Sequence, residues 1–256
     1  MSFVLITGAS TGIGEAFARQ YAAKGRPLVL VARSADKLAA LANELCRTFQ
    51  VEVKIFSQDL SLPDAPQHLF DYCQTQRLEI ALLINNAGVG LSNDFVHQRL
   101  SEIESMMQLN MMSLVKLTHL FLPAMLHRRS GGIINVASVA AFQGTPNMCV
   151  YAATKAFVLS FSEALAEELS GTGVRVMALC PGGTATHFFE RAGYKQTGFK
   201  LPIQSPEAVV RTAIKAFEQG KTVVVTGWLN NLLVFAERFT PRWLNTKLAG
   251  AFVGEM

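Results

Sequence analysis

The sequence predicts an α/β protein built on a doubly wound parallel sheet of about seven strands, with helices on both faces. Short, β-branched apolar runs alternate with longer segments of helical period almost to the end of the 256-residue chain. The predicted strands are apolar throughout, which is typical of parallel strands covered on both faces. Apolar residues make up 50% of the chain and charged residues 16%, which indicates many buried elements.

No repeat, low-complexity tract or linker divides the predicted strands and helices, so we expect a single domain over 1–256. It should carry a lid near 184–204 and an apolar C-terminal segment at 228–253. Parallel strands end at one edge of their sheet, so the polar residues after them should converge on a ligand site. The predicted strands are 3–7, 27–32, 51–56, 80–85, 132–137, 174–179 and 222–226. The predicted helices lie near 12–24, 34–48, 64–76, 101–129, 151–170 and 205–218.

Charge and cysteine usage exclude several classes of protein. The net charge of +4 comes from scattered lysines and arginines, without the basic stripe that binds nucleic acid. The four cysteines show neither C-x-x-C spacing nor a cluster with histidine, which predicts reduced thiols and no metal site. The N-terminus lacks the charged region of a signal peptide, and no unbroken apolar run approaches the ~18 residues of a membrane span. We therefore expect a cytoplasmic protein, and the low charged fraction predicts a homo-oligomer, a dimer or tetramer.

The stretch "TGASTGIG" places glycines at 8, 12 and 14, between the first predicted strand and the first predicted helix. Glycine permits positive φ and lets the backbone approach a pyrophosphate, and a helix N-terminus offers N–H donors to its phosphates. The alternative is a plain glycine-rich turn. The position in an alternating β/α chain favours a Rossmann-type dinucleotide site.

The end of the second strand bears on the choice of dinucleotide. NAD sites place an acidic residue there to bind the adenosine ribose, but 28–35 contains no carboxylate. Arg33 offers a guanidinium group suited to the 2′-phosphate of NADP. Alternatively, Arg33 is a solvated surface residue and Ser34 caps the next helix. The sequence therefore predicts NADP(H) as cofactor.

Tyr151 and Lys155 are four residues apart at the start of a predicted helix, so their side chains should lie on one face. A free tyrosine has a pKa near ~10, and a neighbouring ammonium group favours the phenolate. The pair predicts acid/base chemistry, with lysine lowering the pKa of tyrosine toward neutrality. Ser138, at the end of the fifth strand, should reach the same substrate oxygen.

The glycine loop, "NNAG" at 85–88, Asn110, the Ser138, Tyr151 and Lys155 set and "PG" at 181–182 occur in one order along the chain. This combination resembles the short-chain dehydrogenase/reductase family from Thr7 to about Thr186. The resemblance implies that Tyr151 is the proton donor or base, Lys155 holds the nicotinamide ribose, Ser138 orients the substrate oxygen and Asn110 anchors a relay water. Residues implied to contact NADP(H) are Gly8, Ser10, Thr11, Gly12, Ile13, Gly14, Arg33, Ser34, Asp59, Leu60, Asn86, Ala87, Gly88, Tyr151, Lys155, Pro181, Gly182, Thr184 and Thr186.

One departure concerns the cofactor. Many NADP-preferring relatives carry a second basic residue in the glycine loop, where this chain has Ser10 and Thr11.

Asn85 and Asn110 also have purely structural interpretations, as supports of the sheet and of a bent helix. A regulator that binds NADP(H) without turnover and a nucleotide-sugar epimerase remain alternatives to the predicted ketone/alcohol oxidoreductase.

Aromatic residues surround the predicted nicotinamide end and suggest an apolar or bulky carbonyl substrate, although they could equally pack on the fold. In the C-terminal segment, apolar residues at helical spacing predict core or subunit packing over contact with a membrane surface. The aromatic and apolar residues of the predicted pocket are Phe142, Met148, Phe188, Phe189, Tyr194 and Phe199. Those of the C-terminal segment are Trp228, Leu232, Phe235, Phe239 and Trp243.

Overall fold

A seven-stranded, fully parallel sheet forms the centre of the protein, in the order β3-β2-β1-β4-β5-β6-β7. The computed structural model describes residues 2–193 and 202–253. The predicted fold class is confirmed, since every predicted strand is present and helices cover both faces. The strands are β1 Ser2–Thr7, β2 Leu28–Ala32, β3 Val53–Ser57, β4 Glu79–Asn85, β5 Gly131–Val136, β6 Val174–Cys180 and β7 Val223–Val225.

The helices divide the core into two main layers. Apolar side chains of the first, second and eighth helices pack on one face of the sheet, and those of the third, fifth and sixth on the other. This arrangement explains why the strands are apolar on both faces. The helices are α1 Gly12–Ala23, α2 Ala35–Phe49, α3 Ala65–Thr75, α4 Leu100–Met107, α5 Leu114–His127, α6 Cys149–Glu168, α7 Phe188–Arg191, α8 Pro206–Glu218, α9 Trp228–Glu237 and α10 Arg242–Val253.

Most predicted boundaries differ from the structure by one or two residues, and two of the predicted elements differ for a clear physical reason. β3 begins at Val53 rather than at 51, because the left-handed Gln50 ends α2 and the chain needs two further residues to reach the sheet. The predicted helix 101–129 is three segments, in which a π-helical turn, Gln108–Ser113, separates α4 from α5. π-turns inside helices often mark functional sites, and this one contains Asn110. Part of the predicted lid, 194–201 with Tyr194 and Phe199, lies outside the described residues.

Buried hydrogen bonds hold together the strand ends that carry the site. The Asn85 amide donates to Asn135 Oδ1 at 2.9 Å and to Thr118 Oγ1 at 3.1 Å, which joins β4 to β5 and α5. The Thr7 hydroxyl accepts the backbone N–H groups of Asn86 and Ala87, both at 3.0 Å, at the switch between β1 and β4. These contacts support the structural interpretation of Asn85.

Two helical stretches, Leu100–His127 and Cys149–Glu168, are long and apolar enough to cross a membrane, with mean hydropathies of 1.3 and 1.2. Polar residues interrupt both, so neither is an unbroken apolar run. In this fold α5 packs on β4 and β5, and α6 on β5 and β6. Helices in a protein core can be equally long and apolar, so the length and composition of these two helices do not show whether either crosses a membrane.

The outer face of the C-terminal helices is exposed. Trp228 is 78%, Phe239 77% and Trp243 69% accessible, so the expectation that they pack in the core of this chain is wrong. Their helices turn the opposite side toward the large cavity described below. Packing against another subunit, the other half of that expectation, stays a prediction, and contact with a membrane surface stays its less favoured alternative. The four cysteines are free thiols, as predicted.

Candidate active site

A cavity of about 770 Å³ lies beyond the carboxyl ends of the strands, where the strand order switches between β1 and β4. Every predicted site residue lines this cavity except Gly14 and Asn110, which lie behind its wall. The predicted residues that line it are Gly8, Ser10, Thr11, Gly12, Ile13, Arg33, Ser34, Asp59, Leu60, Asn86, Ala87, Gly88, Ser138, Tyr151, Lys155, Pro181, Gly182, Thr184 and Thr186.

The glycine loop has the shape of a phosphate cradle. Gly8 and Gly12 have φ angles of +65° and +61°, a left-handed conformation that residues with a side chain rarely adopt. A Cβ on Gly14 would lie 2.2 Å from the Gly8 carbonyl oxygen, so Gly14 permits the close packing of α1 against the loop. Within the described part of the chain, Thr11 gives α1 no side-chain cap, so its first N–H groups are available to an anion.

The opposite end of the cofactor half carries an ion pair that the sequence did not predict. Arg33 Nη1 lies 3.7 Å from Asp59 Oδ2, although the two residues follow different strands. Burial opposes ionisation of Asp59, but hydrogen bonds from the Ser61 N–H and hydroxyl, together with the charge of Arg33, lower the pKa of its carboxyl. A cofactor phosphate at Arg33 would therefore compete with a carboxylate. Ser34 stands at the N-cap position of α2, yet its side chain makes no capping bond to the described residues.

Ser138, Tyr151 and Lys155 meet at the other end of the cavity. Ser138 follows β5; its Oγ accepts the Ala140 N–H at 3.1 Å, and its side chain lies beside the Tyr151 phenol. Lys155, one turn along α6 from Tyr151, donates to the Val136 carbonyl oxygen at 2.8 Å. Both side chains are buried, Tyr151 to 7% and Lys155 to 5% accessibility. The predicted constellation is thus assembled around one point.

The ionisation of the pair differs from the expectation. Burial raises the pKa of Tyr151 to about 12, although its hydrogen bond with Ser138 acts in the opposite direction. Burial also lowers the pKa of Lys155 to about 8. The Lys155 ammonium group lies 5.8 Å from the centre of the Tyr151 ring and is engaged by a backbone carbonyl. The prediction that Lys155 brings the pKa of Tyr151 toward neutrality is therefore wrong in this structure.

Asn110 supports the site from behind its wall. Its Oδ1 accepts the Val89 N–H at 3.0 Å, while its Nδ2 donates to the Val89 carbonyl at 2.9 Å and to Thr154 Oγ1 at 3.1 Å. The Thr154 hydroxyl in turn donates to the Tyr151 carbonyl oxygen at 2.7 Å. Asn110 thereby joins the loop after β4 to the helix that carries Tyr151 and Lys155.

Apolar side chains and the two C-terminal helices enclose the remaining, substrate half of the cavity. The Phe188 ring lies 5.3 Å from the Tyr151 ring, and Met148 packs beside them. Phe189 also lines the cavity, as predicted, whereas Phe142 packs in a separate core cluster. The residues that α9 and α10 contribute are Asn230, Leu233, Val234, Ala236, Glu237, Asn245, Leu248 and Ala249.

Comparison with known proteins identifies the family. A family model described as short chain dehydrogenase matches residues 2–197. The chain belongs to this family. Like other members, this short-chain dehydrogenase is an NAD(P)-dependent oxidoreductase. It is 33% identical over 259 residues to the very-long-chain 3-oxoacyl-CoA reductase of Mus musculus, an alignment that covers 98% of this chain and 79% of the relative.

Solved structures of related enzymes share the fold. A short-chain dehydrogenase from Sphingobium yanoikuyae in complex with NADPH is 36% identical, with a TM-score of 0.83 and coverage of 88% of this chain and 87% of the other. The bulky-bulky ketone specific alcohol dehydrogenase of Comamonas testosteroni is 29% identical, with a TM-score of 0.79 and 93% of both chains covered.

The glycine cradle of this short-chain dehydrogenase suits a dinucleotide. A Cβ on Gly12 would lie 2.8 Å from the Thr186 side chain, so the loop after β6 closes tightly over the cradle. Arg191, on α7, also reaches the loop, where its Nη2 donates to Thr11 Oγ1 at 3.1 Å. Sequence patterns did not predict that Arg191, Gln143 or the residues of α9 and α10 line the site. One available signal was Glu237, the lone acidic residue of the C-terminal segment 228–253.

Proposed function

We propose that this short-chain dehydrogenase is an NADPH-dependent reductase of bulky, largely apolar ketones, and that it can also oxidise the corresponding secondary alcohols. The observation that carries the proposal is the meeting of Ser138, Tyr151 and Lys155 in the same cavity as the glycine cradle. A pure sensor of NADP(H) would have no use for this set of proton-handling groups. We retain a cytoplasmic location and a homo-oligomeric state as parts of the proposal.

In the proposed reaction, NADPH supplies the hydride and this chain supplies position and a proton. Tyr151 donates its phenolic proton to the carbonyl oxygen as negative charge develops there. Ser138 hydrogen-bonds the same oxygen, which orients the ketone and stabilises that charge. With its pKa raised to about 12, Tyr151 is protonated at neutral pH, as a proton donor must be. Lys155 would bind the nicotinamide ribose. The hydrogen bonds of Asn110 to Val89 and Thr154, together called the Asn110 clamp, would hold α6 in position.

Two observations support NADPH over NADH. The end of β2 offers the Arg33 guanidinium group to a 2′-phosphate, and the related Sphingobium yanoikuyae enzyme is described in complex with NADPH. The ion pair between Arg33 and Asp59 acts against this preference, since the phosphate must compete for the guanidinium group. We therefore propose a moderate preference for NADPH.

The substrate proposal rests on the apolar half of the cavity. Met148, Phe188 and Leu233 are among the side chains that line it. The related Comamonas testosteroni enzyme is described as specific for bulky-bulky ketones, and the Mus musculus relative as a reductase of very-long-chain 3-oxoacyl-CoA. An apolar pocket of this kind gains affinity from the hydrocarbon surface that it buries.

The test measures the loss of NADPH absorbance with carbonyl compounds graded from small and polar to bulky and apolar. Tyr151→Phe should lower kcat by about 10² to 10⁴, the usual contribution of general acid catalysis. Tyr72→Phe is the matched control, because Tyr72 packs on Phe56 outside the cavity. Equal rates in Tyr151→Phe and the parent would refute the role of Tyr151. Tight NADPH binding without reduction of any compound would favour the sensor.

A further inference from the structure

An acidic residue lies in the wall of the substrate half, among apolar, amide and hydroxyl side chains. Among the described residues that line the cavity, the acids are Asp59 and Glu237. Asp59 belongs to the cofactor half and pairs with Arg33. Glu237 ends α9, is half-buried, and borders the cavity together with Leu233 and Leu248. A carboxylate at this position needs an explanation, because burial of a charge costs free energy unless a partner compensates it.

Among the residues that the structure describes, the only side chain that bonds the Glu237 carboxylate is the amide of Gln143. The Gln143 amide faces three acceptors, so its nitrogen points toward them. This nitrogen lies 3.2 Å from the Val139 carbonyl oxygen, 2.9 Å from Glu237 Oε1 and 3.2 Å from Glu237 Oε2. Within residues 2–193 and 202–253, no lysine, arginine or histidine forms an ion pair with Glu237. The carboxylate therefore keeps acceptor capacity beyond the bonds from Gln143, since its two oxygens offer about four acceptor sites.

Burial raises the pKa of Glu237 to about 7, which fits a carboxyl group with little charge compensation. Its position is nevertheless fixed from two sides. Gln143 holds the carboxylate, and Asn245 on α10 donates its amide to the Glu237 backbone carbonyl at 3.2 Å. A half-buried acceptor that is held in place, borders a cavity and keeps acceptor capacity unused by the described residues is typical of a recognition site.

The loop after β5 links Glu237 to the site of the reaction, because it carries both Ser138 and Gln143. Val139, which accepts from Gln143, directly follows Ser138, whose side chain lies beside the Tyr151 phenol. Gln143 lies in the same loop, so a single hydrogen bond joins Glu237 to the loop, and a second leads to the Val139 carbonyl oxygen. A ketone held by Ser138 and Tyr151 would extend its remaining skeleton into the space that Glu237 borders.

We propose that Glu237, positioned by Gln143, forms a subsite that accepts a hydrogen bond from a hydroxyl group of the substrate, remote from its ketone. This inference rests on the proposed function and narrows its substrate class to bulky hydroxyketones. The apolar walls bind the hydrocarbon skeleton, and the carboxylate selects the hydroxyl. The same carboxylate repels an acidic group at this position, so ketones that carry a carboxylate there should be poor substrates.

The experiment compares three compounds of one skeleton: a decalone with a hydroxyl on the ring remote from the ketone, its O-methyl ether, and the unsubstituted decalone. The ether keeps the oxygen but removes the donor. We expect the parent to reduce the hydroxyketone with a kcat/KM about 10 to 100 times that for the ether, the range for a hydrogen bond to a charged group. The difference should lie mainly in KM, because bound substrate and transition state share the contact.

Glu237→Leu should abolish the preference for the hydroxyketone, and Glu237→Gln should leave part of it, since an amide oxygen still accepts. Gln143→Leu should reduce the preference by freeing the carboxylate. Glu168→Gln is the matched control, because Glu168 is exposed at the end of α6 and outside the cavity, and it should preserve the preference. NADPH binding by each variant verifies that it folds.

Equal kcat/KM values for the three compounds in the parent would overturn the subsite and leave the proposed function standing. So would a preference that survives in Glu237→Leu. If the parent reduces neither these compounds nor any other ketone in the panel, the proposed function fails and the subsite fails with it.

Discussion

Replacement of Asn110 by alanine should destabilise the protein far more than the loss of one polar side chain suggests. Asn110 is 1% accessible and makes three side-chain hydrogen bonds. Two of them satisfy the N–H and carbonyl groups of Val89, and the third reaches Thr154 on the helix of the catalytic tyrosine. Alanine removes all three bonds and leaves the Val89 backbone groups without these partners.

The expected magnitude follows from the hydrogen bonds. A typical intramolecular hydrogen bond contributes a net ~1 kcal/mol, and a buried group left unsatisfied costs about 1–3 kcal/mol. Val89 is half-buried, so water can replace part of what its backbone loses. We therefore expect Asn110→Ala to lower the free energy of unfolding by about 2–4 kcal/mol, which is a large part of the stability of a typical domain.

Urea unfolding, with linear extrapolation to water, measures this loss. Asn43→Ala is the matched control, because Asn43 is exposed within α2, where alanine has the higher helix propensity. The control should be neutral or slightly stabilised. If Asn110→Ala lies within about 0.5 kcal/mol of the parent at an unchanged m value, the Asn110 clamp does not stabilise the fold as the structure implies.

Three further predictions concern the cofactor end and the pocket. Arg33→Ala should weaken binding of NADPH more than that of NADH by about tenfold, as titration of protein fluorescence would measure, and an equal effect on both would refute the 2′-phosphate site. Gly14→Ala should cost about 1–3 kcal/mol of unfolding free energy, because its Cβ would lie 2.2 Å from the Gly8 carbonyl oxygen, whereas Gly183→Ala, with its nearest neighbours 4.0 Å away, should stay close to the parent. The folded-state pKa of Glu237, about 7, exceeds its ordinary value of 4.5, so the folded protein binds that proton more tightly and loses stability as the pH rises through this window. Because Glu237 is partly exposed, we expect Glu237→Gln to gain only about 1 kcal/mol over the parent at pH 8 and nothing at pH 4, and equal gains at both values would contradict the shift.

Much of the cofactor half could be predicted from the sequence because its signals are local. The glycine turn, the spacing of Tyr151 and Lys155, and the alternation of strands and helices each lie within a few residues, and the order of the strands brings their ends to one edge. The π-helical turn at Asn110 could not be predicted in this way, since residues there have ordinary helical propensities. Asn110, inside this turn, instead bonds Val89 and Thr154, which are 21 and 44 residues away in the chain and which local propensity does not reveal.

By itself, the sequence determined the family, the parallel sheet and the residues around the reacting centre, because periodicity and short motifs encode them directly. Tertiary structure alone decided the partners and protonation of those residues. The sequence shows neither that Asp59 reaches Arg33 nor that Gln143 meets Glu237, because each pair comes from separate elements. Nor does it show the raised pKa of Tyr151, because burial depends on every element that packs around the phenol and excludes water from it.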